Sequence, residues 1–265
     1  MNKTIIFITG AWLTPKCWNS FKSFFTARGY NCLAPAWPAK AGDVAAQNAS
    51  PDPALANLGL TEIADYYEKI IRAQEQPPIL IGHSFGGLLV QLLLDRSLGA
   101  AGIAIDSAAP KGVFALYPSA VWANRRILAV PGGWHKIVRC TPQDFHFAFA
   151  HTLSRQEALK LYLGQVVPET GRIFWQAALA PFHRATQVDF RKPGRAPLLL
   201  LAGELDRLCP AAMNRENYLK YQSGRVDYHA FAGRTHWIIG QPGWEEAADY
   251  CLSWLQKTDA APGRA

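Results

Sequence analysis

The chain has 265 residues, of which 49% are hydrophobic and 18% are charged, and its formal net charge at pH 7 is +7. This balance is typical of a globular protein and excludes an intrinsically disordered chain. No run of about eighteen apolar residues occurs, and the apolar start is too short for a secretory signal, so we expect neither a membrane span nor a leader. Five scattered cysteines without metal-ligand spacing favour a reduced, cytoplasmic protein that holds no structural metal.

Strand-like and helical patterns alternate along the chain, which predicts an α/β fold with a mostly parallel, doubly wound sheet. We expect about six strands in one core, formed by residues 1–110 and 189–257. In chain order, the predicted strands are 5–8, 32–35, 78–81, 102–106, 196–203 and 226–231, and the predicted core helices are 15–28, 61–74, 88–94, 211–221 and 244–256.

The alternation breaks after Pro110 and resumes only with the strand at 196–203. Helical periodicity in between predicts a helical lid over residues 111–188, inserted before the last two strands. Residues 258–265 are predicted to be a flexible tail. The helical patterns of the lid cover 119–128, 143–151, 155–163 and 172–180.

The positive charge is concentrated in the predicted lid. Residues 111–188 contain nine Lys or Arg against three Asp or Glu, a surplus of six, whereas the rest of the chain is nearly neutral. No basic run occurs, so we expect no nucleic-acid partner. A solvated face explains the surplus most simply, and attraction of an anionic substrate is the alternative.

A Gly-x-Ser-x-Gly sequence, Gly82-His83-Ser84-Phe85-Gly86, joins the third predicted strand to an apolar helix. In this context the serine occupies a sharp turn above the carboxyl end of the sheet, where its hydroxyl faces solvent and the helix N-terminus favours negative charge. Chance occurrence is the alternative, because small residues are common in turns. The flanking strand and helix favour a nucleophilic Ser84.

A serine nucleophile needs a base and an acid that orients the base. Asp206 follows the fifth predicted strand and His236 follows the sixth, so both stand at the sheet edge that carries Ser84. The chain order Ser, Asp, His suits a strand-turn-helix nucleophile. Asp106, which ends the fourth predicted strand, is the competing candidate for the acid.

These motifs make the chain resemble the α/β-hydrolase superfamily. The opening Gly10-Ala11-Trp12 and the lid length are similar to the branch of plant methyl-salicylate esterases and hydroxynitrile lyases. The resemblance implies that Ser84 attacks, that His236 is the general base, and that Asp206 orients it. It also implies an oxyanion hole formed by the backbone N–H groups of Ala11 and Phe85.

Two departures from the pattern of this branch concern the same turn and the catalytic histidine. Many relatives have His-Gly where this chain has Thr9-Gly10, which changes how the oxyanion loop is anchored. Lyases of the branch carry threonine in place of Gly10 and lysine directly after the histidine, where this chain has Trp237. The resemblance therefore implies an esterase rather than a lyase.

The resemblance and the aromatic residues together predict a carboxylesterase-like serine hydrolase. We expect a small-molecule ester with a bulky apolar or aromatic part, no cofactor, and a monomer or homodimer. Thioesterase, amidase and lactonase activities stay open because they can share the triad, as does a ligand receptor that keeps the fold without turnover. The predicted substrate-binding residues are Trp12, Phe85, Trp237, Trp122, Phe147 and Trp175.

Overall fold

Six parallel strands form the centre of the protein in a computed structural model that describes residues 3–258. In chain order the strands are β1 Thr4–Ile8, β2 Asn31–Leu33, β3 Ile79–His83, β4 Ala101–Ile105, the short β5 Ile137–Val138 and β6 Glu169–Thr170, β7 Leu198–Gly203 and β8 Val226–Phe231. The large sheet has the order β2-β1-β3-β4-β7-β8, and every neighbouring pair in it is parallel. The predicted doubly wound α/β fold is confirmed.

The central strands consist of continuous apolar runs, which explains why they lie in the interior of the sheet. Every residue of β3, β4 and β7 is buried, as expected for strands covered on both faces. Because these strands are parallel, the turns after β3, β4, β7 and β8 all lie at one edge of the sheet. This edge is where a ligand binds in open α/β sheets.

Helices cover both faces of the sheet and fill the segment between β4 and β7. The helices are α1 Asn19–Thr26, α2 Val44–Ala49, α3 Leu60–Arg72, α4 Phe85–Asp95, α5 Pro118–Leu128, α6 Pro142–Ala148, α7 Arg155–Gln165, α8 Gly171–Ala178, α9 Ala211–Lys220 and α10 Glu245–Lys257.

Helix α4 lies in the interior, and ten of its eleven residues are buried. A helix that is apolar all round is stable only in such a place. Its one buried polar side chain is that of Gln91. The Gln91 amide donates a hydrogen bond to Ser107 Oγ at 2.8 Å and accepts hydrogen bonds from Asn217 and from the Tyr221 hydroxyl. Ser84, the residue before α4, is therefore joined to a helix that is fixed within the core.

Residues 111–188, called the insertion below, contain α5 to α8 and the antiparallel pair of β5 with β6. The two-residue strands are too short to give a periodic signal, and the sequence did not predict them. The pair nevertheless fixes Glu169, because Val138 and Glu169 are partners in its register.

The last described turn is ordered. Thr258 is buried, and its N–H donates to the Trp254 carbonyl at 3.2 Å. The rest of the predicted flexible tail, 259–265, lies outside the described residues. Within 3–258 no helix is both long enough and apolar enough to cross a bilayer. All five cysteines have free thiols.

Candidate active site

Ser84 occupies the sharp turn between β3 and α4. Its backbone has φ 58° and ψ −122°, a region that costs a non-glycine residue about 1–3 kcal/mol. The turn needs glycine on both sides, because a Cβ on Gly82 would collide with the Gly86 carbonyl and a Cβ on Gly86 with the Ile8 carbonyl. The strained geometry predicted from the Gly-x-Ser-x-Gly motif is present.

The sequence context predicted that the Ser84 hydroxyl faces solvent. In the structure it does not face open solvent. The residue is only 3% exposed and instead lines a cavity of about 430 Å³. The walls of the cavity are mostly apolar, with Asn124 and Glu216 as polar exceptions besides Ser84, and they come from the core and from the insertion. They include Trp12, Phe85, Val113, Ala120, Phe149, Phe174 and Met213.

Asp206 and His236 form a buried pair. His236 Nδ1 lies 2.7 Å from Asp206 Oδ2, and both side chains are 0% exposed. The other carboxylate oxygen of Asp206 accepts the backbone N–H groups of Leu208 and Cys209 at 2.7 and 2.8 Å. The carboxylate is thus fixed in orientation, and it fixes the imidazole in turn.

Cys209 connects this pair to Ser84. Its sulfur lies within 4.8 Å of ligand atoms of both Asp206 and His236, and its thiol interacts with the Ser84 hydroxyl. Burial raises the pKa of the Cys209 thiol well above its usual value, and the charge of Asp206 raises it further. Cys209 is therefore a neutral neighbour of Ser84 and not a second nucleophile.

The second ring nitrogen of His236, Nε2, is buried and has no hydrogen-bond partner within residues 3–258. Phe149, which lines the cavity, covers the imidazole edge-on at 4.7 Å between ring centroids. No hydrogen bond joins Ser84 to His236 in this arrangement. The nitrogen that is left over by the Asp206 contact is thus available to accept a proton.

Asp106, the competing acid, belongs to the same cluster but makes different contacts. Its Oδ1 accepts the Gly203 N–H at 2.7 Å, and it makes no hydrogen bond with His236. Burial raises the pKa of Asp106 well above its ordinary value, and the negative charge of Asp206 raises it further. Asp106 thus favours its protonated form more strongly than an exposed aspartate does.

Among residues 3–258, two sets of three side chains bring potential metal ligands within 4.8 Å of one another. They are His83, Asp106 and His236, and Asp206, Cys209 and His236. Both sets include His236, whose Nδ1 is bonded to Asp206. A metal ion would have to compete with that contact.

The two residues predicted to form the oxyanion hole, Ala11 and Phe85, both belong to the cavity wall beside Ser84. Their backbone N–H groups have no acceptor within residues 3–258. The turn that carries Ala11 passes directly against the serine: a Cβ on Gly10 would lie 2.7 Å from Ser84 Cβ. The predicted oxyanion donors are therefore next to the predicted nucleophile.

Of the six predicted substrate-binding residues, Trp12 and Phe85 line the cavity and the others do not. Trp237 is buried, its backbone N–H donates to the Phe149 carbonyl at 3.0 Å, and its indole ring lies against Gly240. Trp122 is 55% exposed and lies beneath the Arg125 guanidinium.

Phe147 and Trp175 are also not part of the cavity wall. The Phe147 ring faces the Arg207 guanidinium at 4.9 Å, and Trp175 packs edge-on against Trp134 at 5.3 Å. The neighbour of Trp175, Phe174, takes its place in the wall and contacts the rings of Trp12 and Phe85. Two of the six predicted residues, Trp12 and Phe85, thus belong to the cavity wall.

A family model described as the alpha/beta hydrolase family matches residues 5–248. No curated protein sequence matches the chain significantly. Among solved structures, the monoacylglycerol lipase of Paleococcus ferrophilus is similar, with a TM-score of 0.68, 19% identity, and coverage of 97% of this chain and 95% of that one.

A methylesterase from Arabidopsis is also similar, with a TM-score of 0.68, 12% identity, and coverage of 96% and 99%. So is a pyrethroid hydrolase from Sphingobium faniae JZ-2, with a TM-score of 0.66, 17% identity, and coverage of 98% and 99%. At these identities the likeness concerns the fold. The methylesterase agrees in fold with the branch that the sequence resembles.

Proposed function

The chain belongs to the alpha/beta hydrolase family, and we propose that within it the protein is a serine hydrolase that cleaves carboxylic esters through an acyl-enzyme on Ser84. The observation that carries the proposal is the buried Asp206–His236 pair with its unpartnered imidazole nitrogen, which lies directly behind Phe149 and Cys209, two residues that line the cavity together with Ser84. A nucleophile, a base and an orienting acid are the groups that acyl transfer needs.

Each group has one role in the proposed reaction. Ser84 Oγ attacks the ester carbonyl, and its proton passes to Nε2 of His236, while Asp206 holds the imidazole through Nδ1. His236 then protonates the leaving alcohol, and water hydrolyses the acyl-enzyme by the reverse proton path. The backbone N–H groups of Ala11 and Phe85 stabilise the oxyanion, and such a donor is worth about 10² to 10³ in rate.

The substrate follows from the lining of the cavity. The polar residues in the wall away from Ser84 are few, and none of the described residues that line it is Lys or Arg. An apolar or aromatic ester fits this chemistry, and the alternative of an anionic substrate gains no support from it. The positive surplus of the insertion then belongs to its outer surface.

We propose that the insertion, 111–188, acts as a lid over a core formed by 1–110 and 189–257. It supplies Val113, Ala120 and Phe174 to the cavity wall, opposite the turn that carries Ser84. A substrate would enter and leave by movement of this segment.

The test is turnover of a series of p-nitrophenyl esters by the purified protein and by Ser84→Ala. We expect hydrolysis by the wild type and a loss of about 10⁴-fold or more in kcat for the variant. Covalent labelling of Ser84 by a fluorophosphonate would identify the nucleophile directly. A wild type that binds esters but hydrolyses no ester, thioester, lactone or amide would be a receptor, and the proposal would be wrong.

A further inference from the structure

A fully buried ion pair lies beside the turn that carries Ala11. Lys40 Nζ lies 2.6 Å from Glu169 Oε2, and the two side chains are 3% and 0% exposed. Removing two charges from water is costly, and an apolar pair of similar volume often stabilises a fold as well or better. Stability alone is therefore a weak explanation for the pair.

The carboxylate of Glu169 is bound to the turn itself. Its Oε2 accepts the backbone N–H of Trp12 at 3.0 Å, and its Oε1 accepts the N–H of Thr170 at 2.9 Å. The Trp12 carbonyl in turn accepts the N–H of Val167 at 2.9 Å. Both backbone polar groups of Trp12 are thus held by one short segment of the insertion.

Trp12 needs such support because its backbone is in the left-handed region, with φ 70°. A bulky residue rarely adopts this conformation unless its surroundings impose it. The contact between Glu169 and the Trp12 N–H fixes the peptide plane that joins Ala11 to Trp12, so the turn is held one residue away from the Ala11 N–H. Gly10, the residue before Ala11, lies so close to Ser84 that a Cβ on it would be 2.7 Å from Ser84 Cβ.

We propose that Glu169 is a positioning residue for the oxyanion hole and that Lys40 holds and neutralises its carboxylate; this rests on the function proposed above. Glu169 occupies the Trp12 N–H, so that the N–H of Ala11 is the one directed at the reacting carbonyl. Lys40 offsets a negative charge that would otherwise oppose the developing oxyanion nearby. The insertion thereby takes part in transition-state stabilisation as well as in covering the cavity.

The decisive variant is the double substitution Lys40→Met/Glu169→Met. It removes both charges together and leaves neither one buried without a partner, so the fold is expected to persist, with a lower Tm because the N–H groups of Trp12 and Thr170 lose their acceptor. It also removes the acceptor of the Trp12 N–H. We expect kcat for a p-nitrophenyl ester to fall about 10- to 100-fold with KM changed less than threefold, a loss smaller than that of deleting an oxyanion donor outright.

Two measurements separate positioning from structure. A trifluoromethyl ketone that forms a tetrahedral adduct on Ser84 should lose affinity by the same factor as kcat, whereas the product alcohol, which presents no oxyanion, should bind unchanged. Glu169→Gln, which keeps an oxygen for the Trp12 N–H, should retain more activity than the double variant. This second variant keeps the test informative if the double variant does not fold.

Arg195→Met is the matched control, because Arg195 is also buried and pairs with Asp95, 3.8 Å away, at the opposite edge of the sheet. It should lower Tm and leave kcat unchanged. A folded double variant with wild-type kcat and wild-type affinity for the ketone would overturn the proposal. Such a result would leave the proposed hydrolase intact, whereas a wild type without any hydrolysis would remove both.

Discussion

Nε2 of His83 lies 2.7 Å from the backbone carbonyl oxygen of His236. A carbonyl only accepts, so His83 donates and carries its proton on Nε2. Burial lowers the pKa of His83 well below its ordinary value, and the neighbouring imidazole of His236 lowers it further. The residue before Ser84 is thus a neutral donor that holds the loop of the proposed base.

This contact predicts the effect of His83→Ala. The buried carbonyl of His236 would lose its donor, which costs about 1–3 kcal/mol of stability. The loop would also lose the support that sets the height of the imidazole, and we expect kcat to fall about tenfold, equivalent to about 1.4 kcal/mol. Thermal melts and ester kinetics measure both effects. A lower Tm with unchanged kcat would show that His83 stabilises the fold but does not position His236 for the reaction.

The two candidate acids should respond differently to the same substitution. Asp206→Asn removes the charge that fixes the tautomer of His236, and we expect a fall of about 10⁴ in kcat. Asp106→Asn resembles the protonated acid already present and keeps an oxygen for the Gly203 N–H, so its kcat should stay within about tenfold. Equal losses in the two variants would contradict the assignment of Asp206.

The raised pKa of Asp106 predicts that the stability of the protein depends on pH. This pKa is raised in the folded state, so the native protein keeps a proton that the unfolded chain releases above the ordinary value of 3.8. The stability from this group is therefore complete below pH 3.8 and falls by about 1.4 kcal/mol per pH unit as pH rises towards the folded value. Asp106→Asn should stabilise the protein little at pH 4 and clearly at pH 8. A Tm difference that is the same at both values would show that Asp106 is ionised.

The sequence predicted the parts of the site that depend on strand ends. Buried apolar runs define the strands, and in a parallel sheet their ends share one edge, which brings Ser84, Asp206 and His236 together. The same logic could not choose between Asp106 and Asp206, because both follow strands at this edge. The choice depends on where each carboxyl group points, which only packing decides.

The contacts made by the residues of the insertion could not be predicted in this way. Phe174 and Trp175 are neighbours in α8, but a helix turns by about 100° per residue, so one faces the cavity and the other faces Trp134. Lys40 and Glu169 are 129 positions apart and follow no spacing rule. Their pairing depends on how the insertion packs on the core, which no local pattern records.

Gly10 offers a test of how closely the oxyanion turn must approach the serine. In Gly10→Ala the new Cβ would lie 2.7 Å from Ser84 Cβ and 3.3 Å from its hydroxyl oxygen, so one of the two must move. A displacement of about 1 Å at a reacting group can cost about 10² in rate, and we expect kcat/KM to fall by that factor. Gly164→Ala is the control, since nothing lies within 4 Å of its Cβ and the helix α7 should gain about 0.5–1 kcal/mol. Full activity in Gly10→Ala would show that the turn is free to retreat.

The position of Ala120 in the cavity wall predicts that a substitution there changes the preference for the length of the acyl chain. Ala120 is buried in α5 and lines the cavity, so the ring in Ala120→Phe would project into the space that a long or aromatic acyl group occupies. We expect kcat/KM for p-nitrophenyl octanoate to fall more than about tenfold, while that for the acetate stays within twofold, because only the longer chain loses apolar contact area. Trp122→Ala, on the exposed side of the same helix, should leave both values unchanged. An equal fall for both esters in Ala120→Phe would mean that the substitution disturbs Ser84 itself, and an unchanged octanoate rate would place the acyl group elsewhere.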